Sequence, residues 1–282
     1  GERMDWFNSP TIIVLCLISA AALWVFVVNS LFAETPFIDP VIFTDRNYVS
    51  GIVLRILFGV ILFGSLVIIP PYLQNQGGYS MLDSGIIMAP RGAGTMFAAL
   101  FVGRLIKFVD PRQVIAAGML VTAACMWTFS TFTSDIDQNS VIIINVIQGI
   151  AFGCFMIPVN AVAFSTLPSA QRDVGTAFFS LLNNIGRGIG IAMLASYLAR
   201  QTQVKHAILR QHVTPFNDRI RHLGLPDLWD PTVPAGLRAL NRVISKQAEL
   251  LAYIADFRLL SIVILACLPV LFMMRRPATK AV

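Results

Sequence analysis

The sequence predicts an all-α membrane protein, and three observations carry that prediction. Of 282 residues, 56% are hydrophobic and only 13% are charged, where a soluble domain carries roughly 25% charged residues. The mean hydropathy is +0.72. The apolar residues gather in seven runs that reach, or nearly reach, the roughly 20 residues a helix needs to cross a bilayer. A chain so short of charge needs an apolar solvent for most of its length.

The runs are Thr11–Phe32, Gly51–Tyr72, Ser84–Ile106, Val114–Thr133, Val141–Leu167, Val174–Leu198 and Phe257–Met274. The first carries no charge. The second holds Arg55 near one end, where snorkelling to the interface is expected. The third contains "MAPRGAGTMFAAL". There Pro90, Gly92 and Gly94 loosen the helix, and Arg91 either snorkels outward or faces a cavity. The fourth carries no charge. The fifth holds Asn145, Gln148 and Asn160, with Pro158 expected to kink it by removing a backbone hydrogen bond. Its Gly149 and Gly153 form a GxxxG pair, which lets a second helix approach closely.

The sixth run is the most demanding. "LLNNIGRGIG" puts Asn183, Asn184 and Arg187 near its centre. A central arginine costs about 2.5–3.5 kcal/mol on insertion scales. Spacings of three and four place Ser180, Asn184 and Arg187 on one face, while Gly186 and Gly190 form a second GxxxG. The expectation is one tight packing face and one polar face lining a water-filled cavity. The alternative is an arginine that caps carbonyls inside the bundle.

The long connection after this run is not featureless. Leu237, Leu240, Ile244, Gln247, Leu251 and Ile254 recur at helical spacing, so the seventh run is expected to extend into water as an amphipathic helix. Residues 199–213 can extend the sixth in the same way. Between them "VTPFNDRIRHLGLPDLWDPTVP" reads as loop. The stripe either closes a helical hairpin or docks a partner.

Lys and Arg bias sets orientation. Arg46, the group Arg104, Lys107 and Arg112, Arg172, and the tail Arg275, Arg276 and Lys280 fall on one side if the spans alternate. That predicts a cytoplasmic C-terminus. The basic residues of the long connection disagree with this count. The net charge of +6 reports loop orientation, and no nucleic-acid partner is expected.

Cys16, Cys125, Cys154 and Cys267 lie in different runs and read as small apolar side chains. His206, His212 and His222 are not spaced as ligands on one helix face. No metal site, no cofactor and no enzyme chemistry is therefore expected. Asp83, Asp173 and Asp256 sit at run edges, so no acid is expected inside a span. A proton relay usually needs one.

Several segments in series resemble the fourteen-span EmrB/QacA-like drug:proton antiporters of the major facilitator superfamily. They are "DWFNSP", "PFIDPVIFTDRNY", "PPYLQNQGGYSMLDSGIIMAPRGAGTM", "VGRLIKFVDPRQ", "IQGIAFGCFMIPVNAVAFSTLP" and "GTAFFSLLNNIGRGIGIAMLASYLARQTQVKHAILRQHVTPFN". The resemblance implies the C-terminal half alone, a six-helix bundle plus one preceding helix. Residues 1–49 would be an extra span between bundles with its cytoplasmic loop. Residues 50–198 would hold five bundle spans, 199–256 a periplasmic loop with an amphipathic helix, and 257–282 the last span and cytoplasmic tail. Gly103, Arg104, Asp110 and Arg112 resemble the superfamily's cytoplasmic loop motif, with Lys107 where an acid is usual.

The resemblance further implies an inner-membrane exporter of hydrophobic compounds, driven by protons and working by alternating access. A missing N-terminal bundle would complete it, with a periplasmic adaptor of the HlyD/EmrA type and an outer-membrane channel as partners. Arg187, Asn183, Asn184, Gln148, Asn145 and Arg91 would line this half's cavity wall. Cations without facing acids favour acidic or electron-rich lipophilic substrates. The rival readings are a structural or assembly membrane protein and a seven-span receptor. A retinal pigment would want a lysine in the last span, and none is present.

Overall fold

A computed structural model of the chain describes residues 10–32, 40–133, 136–212 and 234–274. Its helices are α1 (Pro10–Phe32), α2 (Arg46–Asn75), α3 (Met81–Met88), α4 (Pro90–Leu105), α5 (Pro111–Phe129), α6 (Gln138–Ala163), α7 (Arg172–His212) and α8 (Pro234–Ala266). Short 3-10 segments lie at Pro40–Thr44, Ser169–Gln171 and Leu268–Met273. Among the described residues six stretches are long and apolar enough to cross a membrane, with α3 and α4 counting as one. No strand occurs among the described residues. The chain is an all-α, multi-pass membrane protein.

Helix starts are set by polar residues that sequence makes visible. The Asp45 carboxylate accepts from the backbone N–H of Asn47 and Tyr48 at 2.8 and 3.2 Å. Ser80, Asp110 and Asp137 cap α3, α5 and α6 in the same way. Each satisfies an N–H that the first helical turn leaves unpaired. At Asp137 the Ser140 hydroxyl, and then its backbone N–H, hold the exposed carboxyl below its ordinary value.

The bundle closes as a circuit. α4 packs on α6, α6 on α5, α5 on α8, α8 on α7 and α7 on α2, which returns to α6. Aromatic side chains fill the middle. Phe58 of α2 meets Phe152 and Phe155 of α6 edge-on, with ring centroids 5.5 and 5.6 Å apart. Tyr72 meets Tyr253 and Phe257 of α8 at 5.3 Å. Phe257 stacks on Phe129 of α5 at the same distance. Such pairs contribute about 0.5–1.5 kcal/mol beyond their buried area. α1 is mostly exposed, as at Leu17 and Trp24, with Phe26 packed against the bundle core.

The third predicted span is two helices. Ala89 keeps helical dihedrals and its N–H reaches the Gly85 carbonyl at 2.9 Å. Pro90 then begins α4 with no N–H to donate. The predicted extensions are present: α7 runs unbroken for 41 residues and α8 for 33. They form a hairpin joined by His206 Nε2 and Asn241 Oδ1 at 3.1 Å. The proline-rich loop between them, His222 and the basic tail lie outside the described residues.

The stripe on α8 differs from the expected one. Leu240 and Ile244 are buried, but the line continues through Ala248, Ala252 and Asp256. Leu237 and Leu251 are exposed and Gln247 lies outward as well. Two small alanines let the extended helices approach, and the buried line follows steps of four instead of alternating three and four.

Candidate functional site

Small residues decide which helices touch. A Cβ on Gly186 would collide with the Ile56 carbonyl oxygen of α2, and one on Gly190 would lie 2.6 Å from the Val60 carbonyl oxygen. Gly59 of α2 answers from the other side, 2.7 Å from the Asn183 carbonyl oxygen in the same sense. The α4–α6 contact is built alike. A Cβ on Gly149 would strike the Arg91 carbonyl oxygen, and one on Gly153 would strike the Ala98 side chain. Thr95 Oγ1 fastens this seam by bonding to the carbonyls of Arg91 and Gly149 at 3.0 and 3.1 Å.

This packing presents α7 edge-on. Its Gly186 and Gly190 face α2, which turns Ser180, Asn184 and Arg187 to the exposed side. The Arg187 guanidinium lies over the Phe63 ring of α2, 4.1 Å from its centroid. A cation on a ring face gains on the order of 0.5–2 kcal/mol. Next to it, α2 and α4 flank α6. Arg91 sits between them, 6% exposed, with Nη2 donating to Ser65 Oγ at 2.7 Å. The Phe152 ring of α6 lies beneath the guanidinium, 4.6 Å away. A cavity of about 320 Å³ opens beside it, bounded by Leu62, Leu66, Met88 and Thr95. Arg91 therefore points inward and does not snorkel.

The six expected wall residues do not form one surface. Asn184 and Arg187 are exposed and Arg91 borders the cavity. Asn183 is buried against α2, and among the described residues its Oδ1 has no hydrogen-bond partner. Asn145 is wholly buried and donates to the carbonyls of Ile87 and Val141 at 3.4 and 3.0 Å. Gln148 is wholly buried and turned to Met126 of α5, with Nε2 4.0 Å from Sδ. The expectation that these three amides share a wall with Arg187 is corrected by this geometry. The helix spacing was read properly, but its open side could not be assigned without knowing where α2 and α5 pack.

Two charged residues turn inward. Arg55 does not reach outward: it is half-buried between the rings of Phe58 and Phe179, 5.8 and 5.4 Å from their centroids. Asp256, at the start of the last apolar run, lies within unbroken α8 and is 0% exposed, and among the described residues neither carboxyl oxygen has a hydrogen-bond partner. An i, i+4 reading from Ile244 through Ala248 and Ala252 would have found it. Phe63, Ser65 and Phe152, which hold the two arginines, carried no sequence signal apart from being apolar or small.

Gly103 and Arg104 are exposed at the end of α4. Asp110 accepts from the Arg112 backbone N–H at 3.1 Å and so starts α5. All four cysteines are free thiols. No cluster of three metal-ligating side chains occurs among the described residues. The arrangement offers two cations, the Asn184 amide and an apolar cavity, and it resembles a binding surface more than a reaction centre.

Known proteins give the surface a context. The model of the Major Facilitator Superfamily matches residues 6–191. The chain is similar to the probable multidrug resistance protein EmrY of Escherichia coli K12, 26% identical over 99% of this chain and 55% of that protein. It is also similar to the fatty acid resistance protein FarB of Neisseria gonorrhoeae, 25% identical over 98% and 55%. The multidrug export protein EmrB of Escherichia coli K12 is 27% identical over 77% of this chain and 43% of its own length. The chain spans about half the length of the curated relatives it matches.

Proposed function

Since the chain belongs to the major facilitator superfamily, a family of transporters and not enzymes, we propose that it is the C-terminal half of a proton-coupled multidrug efflux transporter. In this reading it resides in the inner membrane and exports hydrophobic compounds by alternating access, its bundle rocking against an N-terminal one about a midplane cavity. The relatives' names, multidrug export and fatty acid resistance, support hydrophobic small molecules as substrates.

The observation that carries the proposal is the outward polar line of α7. Ser180, Asn184 and Arg187 are exposed in the middle of the apolar run 174–198 of α7, where lipid would penalise an arginine by about 2.5–3.5 kcal/mol. Water and substrate in a shared cavity offset that cost. Asp256 supplies the buried carboxyl that proton coupling needs.

The full-length protein in proteoliposomes with an imposed pH gradient tests this. Wild type should move hydrophobic dyes only when the gradient is present. Arg187→Ala should change the order of preference among acidic, neutral and cationic dyes. An identical profile for every dye would remove Arg187 from the wall.

The charge bias of the short loops supports a cytoplasmic C-terminus, which puts the α7–α8 hairpin in the periplasm. Val204, Ile208, Leu237 and Val243 are exposed apolar residues on that hairpin. They suit a periplasmic adaptor leading to an outer-membrane channel. Photo-crosslinkers placed along 237–254 should capture the adaptor in cells. Failure at every position would discard this partner.

A further inference from the structure

We propose that the cavity between α2 and α4 is an anion subsite, in which the Arg91 guanidinium takes the oxyanion head of an amphiphile and the apolar walls take its tail. This deepens the transport reading and rests on it only for where the ligand comes from.

Arginine carries five N–H donors in a fixed plane. Among the described residues Arg91 uses one nitrogen, for Ser65, while Nε and Nη1 have no acceptor and lie buried behind the cavity's apolar lining. Ser65 is itself held, because its hydroxyl proton goes to the Leu62 carbonyl at 2.9 Å. Its lone pair is therefore aimed at Arg91, and the guanidinium is anchored at one corner with the others unfilled. A cation buried with open donors is costly, and a charge-assisted bond to an oxyanion is among the strongest ways to offset it.

The surroundings select the rest of the ligand. Leu62, Leu66 and Met88 line the cavity, and Phe152 covers one face of the guanidinium. A cavity of about 320 Å³ is at the small end of ligand pockets, so a single chain of moderate length fits and a bulky polycycle does not. Cationic amphiphiles are repelled, and a neutral alcohol fills far less of the donor set. A carboxylate amphiphile and the phosphate head of an anionic lipid share the required chemistry.

The test uses the full-length protein in nanodiscs of phosphatidylcholine, with decanoate, decanol and decylammonium titrated by calorimetry. Decanoate should bind best. Arg91→Gln should weaken decanoate about tenfold or more, equivalent to about 1.4 kcal/mol, and leave decanol unmoved. Arg91→Lys should recover part of the loss. If Arg91→Gln does not fold, Ser65→Ala, which frees the anchor and leaves the charge, should weaken decanoate selectively. Equal binding of decanoate and decanol, or decanoate indifferent to both substitutions, overturns the subsite. Repeating the titration in equal parts phosphatidylcholine and phosphatidylglycerol identifies the source. Competition seen in wild type and abolished in Arg91→Gln assigns the oxyanion to lipid. No competition assigns it to a soluble amphiphile. Gradient-driven export of a neutral dye by wild type is read separately, so a failed transporter and a failed anion site give different results.

Discussion

Gly186→Ala should lower the melting temperature of the full-length protein, while Gly188→Ala, two residues along the same helix, should raise it. In an unobstructed helix interior, replacing glycine by alanine gains on the order of 1 kcal/mol. Among the described residues Gly188 has nothing within 4 Å of where a Cβ would stand, so it keeps that gain. At Gly186 the new atom meets only backbone: the Ile56 carbonyl oxygen, its Cα at 3.0 Å and its carbonyl carbon at 3.1 Å. No side chain can swing away, and α2 must retreat along the whole seam. Overpacking of this kind costs about 1–3 kcal/mol, which exceeds the propensity gain. Gly149→Ala should behave as Gly186→Ala does, because the Arg91 backbone stands in its way. Thermal melts in one detergent decide the matter. Shifts of the same sign for Gly186→Ala and Gly188→Ala would show that the α2–α7 seam is looser than its geometry implies.

Asp256→Asn should stabilise the protein and abolish gradient-driven export. Leaving a buried polar group unsatisfied costs about 1–3 kcal/mol, more when it is charged. Asp256 is such a group, with neither oxygen bonded among the described residues. Tyr253, one turn earlier, does not serve it, since its hydroxyl donates to Glu249 at 3.2 Å. The amide removes the ionisable function at almost constant volume. A residue kept for architecture should lose stability on this change. One kept for function at a stability cost should gain it. The two readouts are a melt and dye export under an imposed pH gradient. An Asn variant that melts below wild type, or exports at its rate, takes Asp256 out of the coupling proposal.

The spans were readable because apolar runs of bilayer length recur along the chain. Asp45, Ser80, Asp110 and Asp137 add the helix starts, which run length alone does not fix. The GxxxG pairs were readable as well, since small residues four apart have little other use in an apolar helix. What was not readable is rotation. In a helix apolar on every side, hydrophobicity no longer distinguishes lipid from core, so nothing local says which way Arg55, Gln148 or Asn145 turns. Asp256 was hidden for a related reason. The buried residues that precede it on its face are Ala248 and Ala252, and alanine contributes too little to an apolar stripe to mark it. Arg91 depended on long-range partners, Ser65 of α2 and Phe152 of α6, that no spacing within its own helix reveals.

The paired extension of α7 and α8 has a mechanical consequence. Forty-one residues of α-helix measure roughly 60 Å at 1.5 Å per residue, against roughly 30 Å of hydrocarbon. About half the rod therefore projects beyond the bilayer, braced by its neighbour against bending. Any tilt of the embedded part is magnified at the tip, as along the hand of a clock. Spin labels or dyes fixed there would convert small rotations within the lipid into displacements large enough to follow in single molecules, without touching the residues that hold cargo.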